Sequence, residues 1–157
     1  MLRRTYDDQV CSIARALEVV GERWTLLIVR DALSGVTRFD GFLARLPIAR
    51  NVLSDRLTGL VDHGVLERVP YQDRPPRHEY RLTARGRELT PVILALMAWG
   101  DRHVPTPSGP PTLVEHAGCG GSVGTRMVCD CCGERVAPEA VVTRPNVAAR
   151  APGPAGR

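Results

Sequence analysis

Lysine is missing from this sequence: all 21 basic side chains among its 157 residues are arginine. Arginine keeps its charge at any physiological pH and presents a planar fork of donors that matches phosphate oxygens and the guanine edge. A GC-rich genome produces the same bias, so the absence alone assigns no partner. Long apolar runs are missing too; none approaches the ~20 residues that cross a bilayer as a helix. The opening MLRRTYDDQVCS lacks the apolar stretch of a secretory signal. A cytoplasmic location is therefore expected, with cysteines that are reduced, metal-bound or redox-active rather than held in structural disulfides. A side-chain set suited to catalysis is also lacking. His63, His78 and His103 are scattered along the chain. No nucleophile, base and orienting group form a pattern, and no phosphate-cradling loop occurs. An enzyme is not expected.

What is present fits one core plus an appendage. The net charge of +4 and a pI near 9.1 favour a polyanionic partner without identifying it. Val10, Ile13, Ala14, Leu17 and Val20 fall at helical spacing, and Gly21 ends that helix. A second helix is expected from about Glu22 to before Ser34. Thr37 and Asp40 have the spacing of a capping box for a short helix from Phe39 to Leu46, stopped by Pro47. A fourth stretch, Arg50 to His63, buries Leu53, Leu57, Leu60 and Val61 and is capped by Gly64. Its other face carries Arg50, Asn51, Ser54, Asp55, Arg56 and Thr58, which is either an ordinary solvated surface or a reading surface. Strand character follows over Val65–Tyr71 and Glu79–Leu82, around a loop QDRPPRH stiffened by Pro75 and Pro76 and flanked by Arg74 and Arg77. Thr83 can cap a further helix, which Pro91 should kink or restart. Val92, Ile93, Leu96, Met97 and Trp99 then form an apolar stretch that completes the core or meets a second copy. The order helix, turn, helix, strand, basic loop, strand is that of a winged helix-turn-helix, mainly α with a small β-hairpin wing. A helix offered to the major groove beside a basic hairpin is a design for reading duplex DNA.

The expected organisation is a flexible N-terminus over 1–10, the winged helix-turn-helix domain over 11–104, and a Pro-rich linker over 105–112. A Cys/His-rich segment over 113–143 and a disordered Ala/Pro/Gly-rich tail over 144–157 follow. In the Cys/His segment His116 and Cys119 form one pair, and Cys129 and Cys132 a second, each followed by glycine. This H-x2-C…C-x2-C pattern suits a closed structural Zn²⁺ site in a small ribbon. The segment can bury little core, which gives it a physical reason to need a metal. Cys131 is an extra thiol that could replace a neighbour. A redox pair among Cys129, Cys131 and Cys132 is the rival reading, and a plain Cys-rich hairpin the other.

The segments CSIARALEVVGERWTLLIVRDALSGVTRF, NVLSDRLTGLVDHGVLERVPY, RPPRHEYRLTARGREL and LALMAWG, in that order, resemble the HxlR-type family of bacterial transcriptional regulators. The resemblance covers Cys11 to about Arg102. It implies a homodimer joined through the N- and C-terminal helices of the winged domain, repressing or activating genes near its own operon, with repression the expected sign. A two-fold dimer implies a two-fold double-stranded DNA operator. The resemblance places the recognition helix at Arg50–His63 and the wing at Tyr71–His78. Arg50, Asn51, Ser54 and Arg56 are then expected near DNA, and Arg74 and Arg77 on the backbone or minor groove. Thr37 and Arg38 are expected at a phosphate, through the helix N-terminus. Asp55 would repel phosphate unless it pairs with an arginine or accepts from cytosine N4. Cys11 sits where some members carry an oxidant-sensing cysteine. A helix N-terminus and the neighbouring Arg3, Arg4 and Arg15 would favour its thiolate, while a small buried apolar residue is the bland alternative. The competing function is a protein-interaction module, with a winged helix and zinc ribbon that bind no specific DNA.

Overall fold

Apolar periodicity builds the first helices of the computed structural model, which describes Tyr6 and residues 11–146. Expectations for Val10, Arg3, Arg4 and the rest of 1–5 and 7–10, and for 147–157, lie outside the described residues. Two compact units divide between Pro111 and Thr112. In the first, α1 (Ser12–Val20) buries Ala14 and Val20 and ends where the Gly21 N–H donates to Leu17 O at 2.7 Å. The second helix, α2 (Thr25–Leu33), starts later than its expected origin at Glu22. Residues 22–24 instead form a turn closed by the Thr25 N–H on Glu22 O at 3.0 Å. Ile28 and Val29 of α2 are fully buried.

The helix-turn-helix proper is α3 (Phe39–Arg45) and α4 (Arg50–Asp62), joined across Pro47. Phe42, Leu46, Ile48, Leu53, Leu57 and Leu60 converge with Ile28 and Val29 in one core. Fully burying side chains of this kind stabilises by about 1.5–3 kcal/mol each. Gly64, at φ 67°, ends α4 in the left-handed conformation, and Val65 N–H closes the turn on Leu60 O at 2.9 Å.

The hairpin pairs β1 (Leu66–Asp73) with β2 (Pro76–Leu82), antiparallel, with an irregularity between Pro70 and Gln72. The strands run deeper into QDRPPRH than expected. Asp73 pairs with Pro76, so the tip is only Arg74-Pro75. Gln72 explains the tightness: its side-chain amide donates to Arg74 O at 3.1 Å and lies 3.2 Å from Pro75 O. Thr83 caps the short α5 (Ala84–Arg87), its Oγ1 accepting from Gly86 N–H at 3.1 Å and donating to Gly64 O at 2.7 Å. The chain restarts as α6 (Thr90–His103) with Pro91 in its first turn. Ile93 of α6 seals the core, while Val92, Leu96 and Trp99 face out.

The second unit is built differently. Two tight turns each close through one isolated bridge, Glu115 to Ser122 and Val128 to Arg135, and a 3₁₀ turn follows at Pro138–Ala140. Among the described residues no laddered ribbon joins these turns, so the zinc-ribbon part of the expected fold is not formed as a sheet. None of the described residues is a helix long and apolar enough to cross a membrane.

Candidate nucleic-acid interface

The outer face of α4 follows from its buried stripe. With Leu53, Leu57 and Leu60 turned inward, Asn51, Ser54, Asp55 and Thr58 are left exposed. Arg50 stands at the first position of α4. Its guanidinium lies 5.5 Å from the Phe39 ring centre, and its Nη2 pairs with Asp40 Oδ1 at 3.1 Å. The expected Thr37–Asp40 capping box is not formed, because α3 begins one residue later and puts Asp40 at its second position. The helix is capped at Arg38 without a side-chain bond, and the Thr37 carbonyl is taken by the Tyr80 N–H of β2 at 2.7 Å.

Arg38 belongs to the hairpin as much as to the helix. Its backbone bridges to Glu79 of β2, its guanidinium lies 4.5 Å from the Tyr71 ring centre, and its Nε sits 3.3 Å from Glu79 Oε1. Glu79 also accepts from Arg81 Nη2 at 2.8 Å. The Arg81 hydrogen bond, opposed by burial and then helped by Arg38, holds the Glu79 carboxyl below its ordinary value. Arg38, Arg50, Arg77 and His78 line an open groove of about 620 Å³ between the start of α3, the start of α4 and the wing. His78 Nδ1 lies 3.0 Å from Arg68 Nη2 on the neighbouring strand. Arg74 and Arg77 are exposed at and beside the wing tip.

Of the expected set, Arg38, Arg50 and Arg77 line this groove together. Arg56 is half-buried and pairs with Glu22 Oε2 at 3.0 Å, on the flank of α4 that faces the turn before α2. The rings of Phe39 and Tyr71, which back two arginines, were not in the expected set. Asp31, fully buried on α2, was not foreseen either. Its Oδ1 accepts from Arg30 Nη2 at 3.0 Å and lies 3.4 Å from Arg45 Nε, tying α2 to the helix-turn-helix, while Oδ2 has no partner.

Cys11 is the N-cap of α1, half-buried, in extended conformation, and makes no capping bond through its thiol. In the second unit His116 Nδ1 stands 3.3 Å from Cys119 Sγ. The Cys129 thiol is pushed below its ordinary value by the backbone N–H of Cys132, then that of Cys131, then the Cys132 side chain, with burial opposing. The two pairs stay separate: among the described residues, no three His, Cys, Asp or Glu side chains stand together to hold a metal.

A helix-turn-helix followed directly by a basic hairpin packed on the same core defines a winged helix-turn-helix protein. Residues 19–108 match the HxlR-like helix-turn-helix family, and the chain belongs to that family, a group of HTH-type transcriptional regulators. It is 49% identical over 135 residues to the uncharacterized HTH-type transcriptional regulator Rv3095 of Mycobacterium tuberculosis, covering 86% of this chain and 85% of that protein. The crystal structure of PA1607, assigned as a transcription factor, superposes with a TM-score of 0.78 at 35% identity, covering 88% of this chain and 97% of that one. The redox regulator HypR in its reduced form matches with a TM-score of 0.56 at 32% identity, covering 60% of this chain and 96% of its own.

Proposed function

We propose that this regulator acts in the cytoplasm as a homodimer that represses transcription by binding a two-fold operator in duplex DNA. One observation carries the reading. The exposed polar face of α4, with Asn51 and Ser54, opens beside the groove lined by Arg38, Arg50 and Arg77, with Arg74 at the wing tip. In this arrangement α4 enters the major groove and the wing follows the adjacent backbone or minor groove. Phosphates are held by Arg38, Arg74 and Arg77, and base edges are met by Asn51 and Ser54, while Asp55 accepts from cytosine. Arg56, engaged with Glu22, positions α4 and contacts no base. The dimer is supported by apolar side chains left bare on two helices: Ile13 (71% exposed) on α1, and Leu96 (50%) and Trp99 (60%) on α6.

Cys11 at the α1 N-terminus is the sensing thiol of this reading. A peroxide converts it to the sulfenic acid with release of water, and the change is felt at a helix of the dimer contact. The likeness to HypR, described in reduced and oxidised forms, supports it. The test is titration of the reduced protein against the DNA upstream of its own gene, at several salt concentrations, with unrelated duplex as competitor. Saturable, competitor-resistant binding that weakens with salt is expected, and peroxide should release wild type but not Cys11→Ser. Equal affinity for both duplexes removes the operator. Binding to neither favours a protein-interaction module.

A further inference from the structure

The second unit contains the same turn twice. His116 and Cys129 stand thirteen positions apart, as do Cys119 and Cys132, and Gly120 and Gly133. The backbone repeats at that offset. Gly120 N–H donates to His116 O at 2.8 Å, and Gly133 N–H to Cys129 O at 2.9 Å. His116 N–H donates to Gly121 O, and Cys129 N–H to Glu134 O, at 2.8 and 2.9 Å. Val123 closes on Val114 as Val136 closes on Met127. Both glycines take left-handed φ, 69° and 73°. In the first turn the two side chains lie against the turn's own backbone: a Cβ on Gly118 would meet the His116 ring at 3.0 Å, and one on Gly121 the Cys119 sulfur at 3.3 Å.

Nothing apolar explains two such ordered turns. Among residues 112–146 none is buried, and only Val114, Cys129 and Val136 are half-buried. A segment this short without a core needs another source of folding free energy, which a bound metal supplies. The spacing inside each turn fits one. Nitrogen and sulfur ligands of a tetrahedral zinc stand about 3.5 Å apart, close to the 3.3 Å between His116 Nδ1 and Cys119 Sγ. The repeat also selects the ligands: Cys131 corresponds to Gly118, off the ligand register.

We propose that the two turns close on a single Zn²⁺, held by His116, Cys119, Cys129 and Cys132. Because the pairs stand apart, metal uptake brings the turns together about the connection from Gly124 to Met127, with loss of the three thiol protons. The inference is independent of DNA binding, which resides in the other unit.

The full-length chain, stripped with chelator and reductant, is titrated with Co²⁺ and then Zn²⁺. One Co²⁺ per chain is expected, with the strong visible absorption of a tetrahedral thiolate site, displaced by one Zn²⁺. Zinc should also slow amide exchange across 113–143 while leaving that of α2 to α4 unchanged. Cys119→Ser and Cys129→Ser should each weaken metal binding at least tenfold. Cys131→Ser and Cys11→Ser should leave stoichiometry and spectrum as in wild type. Absence of the tetrahedral band, or its survival in both Cys119→Ser and His116→Ala, overturns the proposal.

Discussion

Asp31 shows how a fully buried charge can link two helices while leaving little mark in the sequence. It sits at 0% exposure, yet its two arginine partners reach solvent. Removing the charge and removing its partners are therefore unequal changes. Asp31→Asn frees Arg30 and Arg45 into water and should cost only about 1 kcal/mol. Replacing both arginines by methionine strands a buried carboxylate and should cost about 3–5 kcal/mol. Urea unfolding of the two variants checks the order, and a reversal would show that the arginines carry no compensating role. The proposed interface makes a parallel distinction. Arg74→Ala should weaken binding to every duplex alike and lower the salt slope by about one phosphate contact. Asn51→Ala should relax discrimination at particular base pairs by about 1–3 kcal/mol if it makes a bidentate contact. Competition against single-base operator variants separates the two.

Among elements, those governed by neighbours in the chain were legible in advance. Gly64 ends α4, Thr83 caps α5 and Pro91 opens α6 because each acts through backbone geometry within a few residues. What escaped was set from a distance. The Thr37 carbonyl is claimed by Tyr80, Asp40 by Arg50 and Arg56 by Glu22. No local rule could have seen those partners. The groove of the proposed interface was half visible: its arginines could be named, but the rings of Phe39 and Tyr71 come up against two of them only on folding. Gly86 has its own long-range reason, since a Cβ there would run into Val65 O. Gly86→Ala must push α5 off the root of β1, and a loss of about 1–3 kcal/mol is expected by denaturant titration. Glu79 supplies the pH dependence of the wing. Its folded carboxyl titrates below the unfolded one, so its stabilising effect is complete above the unfolded value and is lost as pH falls through the folded value. Carboxyl-resolved NMR should find that midpoint below the ordinary glutamate range, and Arg81→Ala should raise it. The wing's tie to Arg38 should be unchanged between pH 6 and 8.

At the level of the whole molecule, the proposed dimer would cover the apolar side chains left bare on α6. Leu96→Glu with Trp99→Glu should leave the fold intact, because both side chains are exposed, yet convert the proposed dimer to monomer in sedimentation and abolish tight operator binding. A folded variant that still sediments as a dimer would move the contact elsewhere. The Thr83 hydroxyl, bonded to Gly64 at the end of α4 and to Gly86 in α5, ties α4 to the short helix that precedes α6. Two copies joined along α6 would thus hold their reading heads like the jaws of a caliper set to one opening. Adding about five base pairs, half a turn of duplex, between operator half-sites should defeat binding although every base contact remains available.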